Sequence, residues 1–223
     1  MGKQTLMRGL VLVCGLAWLV LQPASAQSPS ARATAGVDLQ ARLKEVQRDP
    51  KLLEATFKIG RKVAAVCDNC HGANGNSPQP DTPNLAAQNA AYHLDQLHAY
   101  AVGKRKDKFM EGMIKVMTAD EKVGMVLFYA AQKVTKKPAG SPGTMARGKS
   151  LYVKNCQGCH DDHGHGDEQL ARVAGQQPVY LRDSMKRYRA GTGSRLDLDM
   201  AKSTKGLSDD DIEALVAYIM AME

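Results

Sequence analysis

The sequence predicts an all-α chain made of two tandem copies of one small helical domain, and three observations carry that reading. The pentapeptide Cys-x-x-Cys-His occurs twice, as Cys67-Asp68-Asn69-Cys70-His71 and Cys156-Gln157-Gly158-Cys159-His160. Gln88, Tyr92, Tyr100 and Gly103 recur as Gln176, Tyr180, Tyr188 and Gly191 at one constant offset of 88 residues, which marks a duplication longer than the motif itself. No stretch alternates apolar and polar residues with the two-residue period of a strand, whereas apolar positions at helical spacing are frequent.

The first element is a targeting segment. Lys3 and Arg8 precede an apolar run over residues 9–21, and Ala24-Ser25-Ala26 supplies the small-x-small signature of a secretory signal peptide. The run falls short of the roughly 20 residues that span a bilayer as a helix. Cleavage after Ala26 and export are therefore expected, and Cys14 is discarded with the leader. Residues 27–58 form an N-terminal extension. Its start, rich in Ser, Ala and Pro, is expected to be disordered, and residues 37–48 are expected to form a short helix outside the repeat. The first domain is read as residues 59–137, the connector as 138–145 and the second domain as 146–223.

Within each domain the same order recurs. A helix, residues 52–66 in the first copy, enters the Cys-x-x-Cys-His motif; then come an irregular loop, a middle helix with the paired tyrosines, a second loop and a terminal helix. Thr118 with Glu121, and Ser208 with Asp211, are capping boxes that open the terminal helices. Those helices are predicted over residues 119–133, with Val123, Val126, Leu127 and Ala130 on one face, and over 209–222, with Ile212, Leu215, Val216 and Ile219 in the same role. Between the domains, residues 136–144 contain two prolines and two glycines, which interrupt any helix.

Each Cys-x-x-Cys-His reads as an attachment site for c-type haem. Two thiols one helical turn apart each add across a vinyl group, and the adjacent histidine reaches the iron. The four cysteines that remain after the leader is removed, Cys67, Cys70, Cys156 and Cys159, are all used, with His71 and His160 as proximal ligands. A zinc site would need the two knuckles closer than the 89 residues that separate them. A thioredoxin-like site would need a strand before the motif, where a helical pattern stands. Domains of about 80 residues bury little apolar surface on their own, and 5% aromatic content adds little; a haem at the centre of each core fills the deficit.

A six-coordinate haem needs a second axial ligand, and methionine is the usual one in small carriers. Met110 lies 39 residues after His71 and eight before Thr118; Met200 lies 40 after His160 and eight before Ser208. That agreement between copies selects both over Met113 and Met117, which read as packing, and over Met185 in the middle helix. His93 and His98 do not recur, Leu181 and Lys186 standing in their places, so they are not iron ligands. His163 and His165 lie in a glycine-rich loop with no defined metal partner.

The formal net charge is +7, and +5 without residues 1–26. It is unevenly divided: +6 over residues 27–138 and −1 over residues 139–223. The asymmetry suggests that one half docks on an acidic partner or an anionic surface.

The stretches CDNCHGANGNSPQPDTPNLAAQ and CQGCHDDHGHG with VAGQQPVYL, the paired methionines, and terminal helices reaching Tyr129 and Tyr218 resemble the cytochrome c4 family across residues 59–223. The resemblance implies two tandem class I cytochrome c folds related by a pseudo-twofold axis, each wrapped around one covalent haem c, with haem propionate edges facing across the interface. It implies a periplasmic electron-transfer protein, not an enzyme, with no nucleic-acid partner. Its partners would be redox proteins, such as a membrane-bound terminal oxidase or a quinol-cytochrome c reductase, with peripheral membrane association. The resemblance also places a proline whose carbonyl orients the proximal histidine at Pro83, where the second domain has Ala171, so that the two haems are expected to differ in potential. Two other classes resemble this pattern: a dihaem subunit of a larger dehydrogenase, as in a flavocytochrome sulfide dehydrogenase, and a dihaem enzyme with one open haem. Matched methionines argue against the last.

Overall fold

In the computed structural model, the described residues are 37–193 and 195–223. The signal peptide, its cleavage after Ala26 and the segment up to residue 36 lie outside them. The described residues contain ten helices and no strand. Helices α1 (Leu39–Arg48), α2 (Pro50–His71), α3 (Ala90–Ala101), α4 (Lys108–Val116) and α5 (Ala119–Ala130) build the first domain. Helices α6 (Pro142–Asn155), α7 (Gln157–His160), α8 (Pro178–Ala190), α9 (Leu198–Thr204) and α10 (Asp209–Met220) build the second. None of the described helices is long and apolar enough to cross a membrane.

The helix over residues 37–48 forms as α1, and its place in the fold is now visible. Asp38 caps it by accepting from the backbone N–H groups of Gln40 and Ala41. Leu43 and Val46 are buried in the core that α2, α3 and α5 share. At ~1.5–3 kcal/mol for each fully buried aliphatic side chain, these two hold down a ten-residue helix that would be marginal alone. Arg42 adds an ion pair with Asp120 at the start of α5, and Gln40 bonds Ala91 O and Asp95 on α3. The boundary drawn at residue 59 falls inside α2, which runs unbroken from Pro50 to His71. The helix that enters the first motif therefore begins before residue 59, and α1 packs on the same core.

Both terminal helices open on the expected capping boxes. Their buried faces carry Val123, Val126 and Leu127 in α5 and Ile212, Leu215, Val216 and Ile219 in α10. Each ends two or three residues early. After α5 the chain turns away because Lys133 O accepts from Asn76 Nδ2 at 2.8 Å. Pro142, read as an interruption, instead occupies the first turn of α6 behind its cap Ser141, where the missing N–H has no helical partner to lose.

The entry helix and the terminal helix of each domain cross at closest approach through glycine. A Cβ on Gly60 of α2 would stand 1.9 Å from Gly124 O of α5, and one on Gly148 of α6 would stand 2.2 Å from Ala214 O of α10. The crossings carry the Cys-x-x-Cys-His motifs to equivalent places. In the first copy α2 ends at His71, and Gly72 takes φ 76°. In the second the helix breaks at Cys156 before α7, and Asp161 takes φ 60°. That left-handed aspartate is held by its own carboxylate, which accepts from the N–H groups of His163 and His165, and by Tyr152 Oη on its carbonyl.

The two domains meet through buried amides in a reciprocal arrangement. Gln176 accepts from Asn84 N at 2.7 Å and donates to Asn84 O at 3.0 Å. Gln88, its counterpart in the repeat, accepts from Arg172 N at 2.8 Å and donates to Arg172 O at 3.0 Å. Residues 84 and 172 are themselves 88 apart, so each domain clasps the same stretch of the other. Asn84 Nδ2 donates to Gly175 O, and Gln177 donates to Ser77 O and Asn84 Oδ1.

Candidate haem sites

A single cavity of about 1020 Å³ runs across the domain interface and is lined by both Cys-x-x-Cys-His motifs. It takes in all eight residues singled out from the sequence: Cys67, Cys70, His71 and Met110 from the first domain, and Cys156, Cys159, His160 and Met200 from the second.

His71 and His160 are buried, and each Nδ1–H donates to a backbone carbonyl, Pro83 O and Ala171 O respectively, both at 2.9 Å. A carbonyl only accepts, so the proton sits on Nδ1 and the lone pair on Nε2 is left for a metal. Burial pushes both imidazoles below their usual range, with the carbonyls opposing it in part. Replacing proline by alanine in the second domain leaves the distance unchanged, so this contact is equal in the two copies.

Among the described residues the cysteines form no disulfide; Cys67 and Cys156 are half-buried, Cys70 and Cys159 exposed. Burial raises the Cys67 thiol and pushes Cys156 up to about 12. A redox Cys-x-x-Cys pair works through a lowered thiol pKa, whereas burial moves these two thiols the other way.

Met110 and Met200 sit at the same turn of equivalent short helices. Asp107 caps α4 by accepting from Met110 N at 3.0 Å, and Asp197 caps α9 by accepting from Met200 N at 2.9 Å. The identical caps fix both backbones in the same relation to the cavity. Met113, Met117 and Met185 also reach its wall, but without that shared setting.

A crosswise pair of contacts escaped the sequence reading. Arg105 of the first domain donates to Tyr180 Oη of the second at 3.0 Å, and Arg195 of the second donates to Tyr92 Oη of the first. Arg105 lies 4.6 Å over the Tyr100 ring and Arg195 5.8 Å over that of Tyr188. The tyrosines were legible as repeats. The arginines lie 90 residues apart, off the offset of 88, because the second loop is two residues longer in domain two. Burial opposes ionisation of Tyr180, yet Arg105 and Arg195 together draw its hydroxyl below the usual phenol range.

Both arginines face the cavity, and neither forms an ion pair with a carboxylate among the described residues. A guanidinium drawn out of water calls for a counter-ion. The propionates of haems seated against His71 and His160 are anions of the right kind at this internal boundary, so the donor set, the cavity and the charge all fit a haem in each domain.

Comparison with known proteins follows the same lines. The cytochrome c family model matches twice, over residues 57–132 and 145–223. Cytochrome c4 of Pseudomonas aeruginosa is 32% identical over 176 residues, which cover 73% of this chain and 87% of that protein. A thiosulfate dehydrogenase electron acceptor of Thiomonas intermedia is 29% identical over 75% of this chain and 83% of its own length. The crystal structure of reduced recombinant cytochrome c4 from Pseudomonas stutzeri superposes with a TM-score of 0.67 at 28% identity, covering 74% of this chain and 98% of that one.

Proposed function

Because the chain belongs to the cytochrome c family, as a tandem two-haem member of the cytochrome c4 kind, we propose that it carries single electrons in the periplasm between respiratory partners, toward a terminal oxidase. Electron transfer through two covalently bound haem c groups, without enzymatic turnover of a substrate, follows from the family. The observation that carries the rest is the single cavity joining both motifs across a polar, closely bonded interface.

When bound, haem supplies an iron that cycles between Fe(II) and Fe(III) with no bond made or broken in a substrate. The chain does the remainder. Cys67, Cys70, Cys156 and Cys159 would hold the two groups covalently. His71 and His160, oriented by Pro83 O and Ala171 O, would offer Nε2 to the iron. Met110 and Met200, set by the Asp107 and Asp197 caps, would supply the second ligand of each. Arg105 and Arg195 answer the propionates, and the clasps at Gln88 and Gln176 hold the two centres at a fixed separation. The expected test is carbon monoxide added to the dithionite-reduced holoprotein. Neither haem should change its visible spectrum, Met110→Ala should open one haem to the gas, and Met200→Ala the other. Rapid binding by the unaltered protein would overturn the closed-carrier reading.

The rims of the two sites favour different partners. Exposed Lys106 and Lys108 precede Phe109, which is 68% exposed, at the start of α4. The matching positions of domain two hold Leu196, Leu198 and Asp199. An acidic partner is expected at domain one, its encounter steered by charge. The double replacement Lys106→Glu with Lys108→Glu should slow exchange with such a partner by about 10-fold at low salt, and by less as ionic strength rises.

Similarity to a thiosulfate dehydrogenase electron acceptor supports a second reading, in which the chain serves one dehydrogenase as its dedicated acceptor. Stable co-purification with a single enzyme would favour it.

A further inference from the structure

The two pockets repeat one another in proximal carbonyl, capped methionine, arginine and tyrosine, so whatever separates their haems electronically lies where the repeat fails. Within the pocket wall it fails at several pairs, among them Ile114 with Thr204 and Asn84 with Arg172, and at one of them a buried histidine is matched by a leucine. His93 of α3 is 6% exposed and lines the cavity; its counterpart in α8 is Leu181, also 6% exposed and also in the wall. His93 lies 6.4 Å, ring to ring, from Tyr129, and its Nδ1 is fully buried without a hydrogen-bond partner among the described residues. Leaving a buried polar atom unmet is costly, and leucine at this place in the other domain shows that the fold accepts an apolar side chain here.

We propose that His93 sets the two haem potentials apart by lowering that of the haem in domain one. The inference rests on the reading above that one haem occupies each pocket. A haem with neutral axial ligands carries one more positive charge when ferric than when ferrous, so an acceptor lone pair in the wall stabilises the ferric form. An imidazole protonated on Nε2 supplies such a lone pair at the unpartnered Nδ1. Burial, with His71 and Arg105 nearby, pushes the His93 imidazole down to about 3, so it is a neutral dipole at ordinary pH. The excess of basic residues in domain one pulls the other way, but it lies on the surface, where salt screens it, whereas His93 acts from inside the wall.

The test is a spectroelectrochemical titration of the holoprotein and of two variants, each first assayed for two haems per chain with unaltered axial ligation. His93→Leu should narrow the separation by raising the lower potential, shifting the distribution of one electron between the haems at least threefold, or about 30 mV at 59 mV per decade. Leu181→His, the same exchange in the other pocket, should lower the higher potential by a similar factor. Both variants independently probe the inference, so failure of one to fold leaves the other. A separation unchanged or widened in correctly loaded His93→Leu overturns the role of His93. Fewer than two haems in the unaltered protein instead overturns the reading of the site on which it rests.

Discussion

Alanine at Gly60 is expected to destabilise domain one by about 3 kcal/mol or more, the upper range of what overpacking costs. The added methyl would lie 1.9 Å from Gly124 O and 2.1 Å from Gly124 C, both backbone atoms. No rotamer relieves that contact; the α2 and α5 axes must separate. Separation would loosen the shared core of Val123, Val126 and Leu127 and shift Cys67, Cys70 and His71, which ride at the end of α2. Calorimetry of the holoprotein should show the domain-one transition lowered by ~10 °C or more. Gly112→Ala is the control. A Cβ at that position on α4 would meet no other atom within 4 Å, and alanine there should stabilise by ~0.8–1 kcal/mol through helix propensity. Equal midpoints for the two variants would show that the glycine crossing does not set the helix separation.

Alanine at Gln176 is expected to loosen the domains from one another. Its amide is 7% exposed and answers both backbone groups of Asn84, itself 5% exposed. Truncation leaves that N–H and carbonyl unmet, at ~1–3 kcal/mol for each buried group, so about 3 kcal/mol is expected overall. Gln88→Ala should cost less, because its bonds to Arg172 are only part-buried. Limited proteolysis between α5 and α6 measures the effect: cleavage near residues 136–141 should accelerate in Gln176→Ala, and by a smaller factor in Gln88→Ala. Cleavage at the unaltered rate in both would mean that the interface is held by other contacts.

What the sequence made legible is what short-range chemistry encodes. A capping box is four residues long, and Thr118 with Glu121 or Ser208 with Asp211 needs nothing distant to form. The Cys-x-x-Cys-His spacing is equally local, and its repetition marked one site in each domain; that both line one cavity came from the structure. Long-range placement was less visible. Nothing in residues 39–48 names α2, α3 and α5 as the surfaces that bury Leu43 and Val46. Gln88 and Gln176 stood out as repeats, but an amide has no chemistry that announces an interface; its meaning came from residues 84 and 172 opposite. Arg105 and Arg195 were hidden by the two-residue change in offset, although Met110 and Met200, displaced by the same amount, showed where to look. His93 was set aside because it did not recur, and failure to recur is what makes it informative.

The reciprocal clasp has a consequence for how such a chain is assembled. Gln88 and Gln176, Arg105 and Arg195, Tyr92 and Tyr180 are related as the two sides of an isologous dimer are, each half offering the other one self-complementary patch. Joining the halves through the short segment between α5 and α6 raises the effective concentration of each to the millimolar range. An interface too weak to hold separate subunits then stays closed. An isolated half would carry an unmet arginine and tyrosine, and its natural complement would be a second copy of itself.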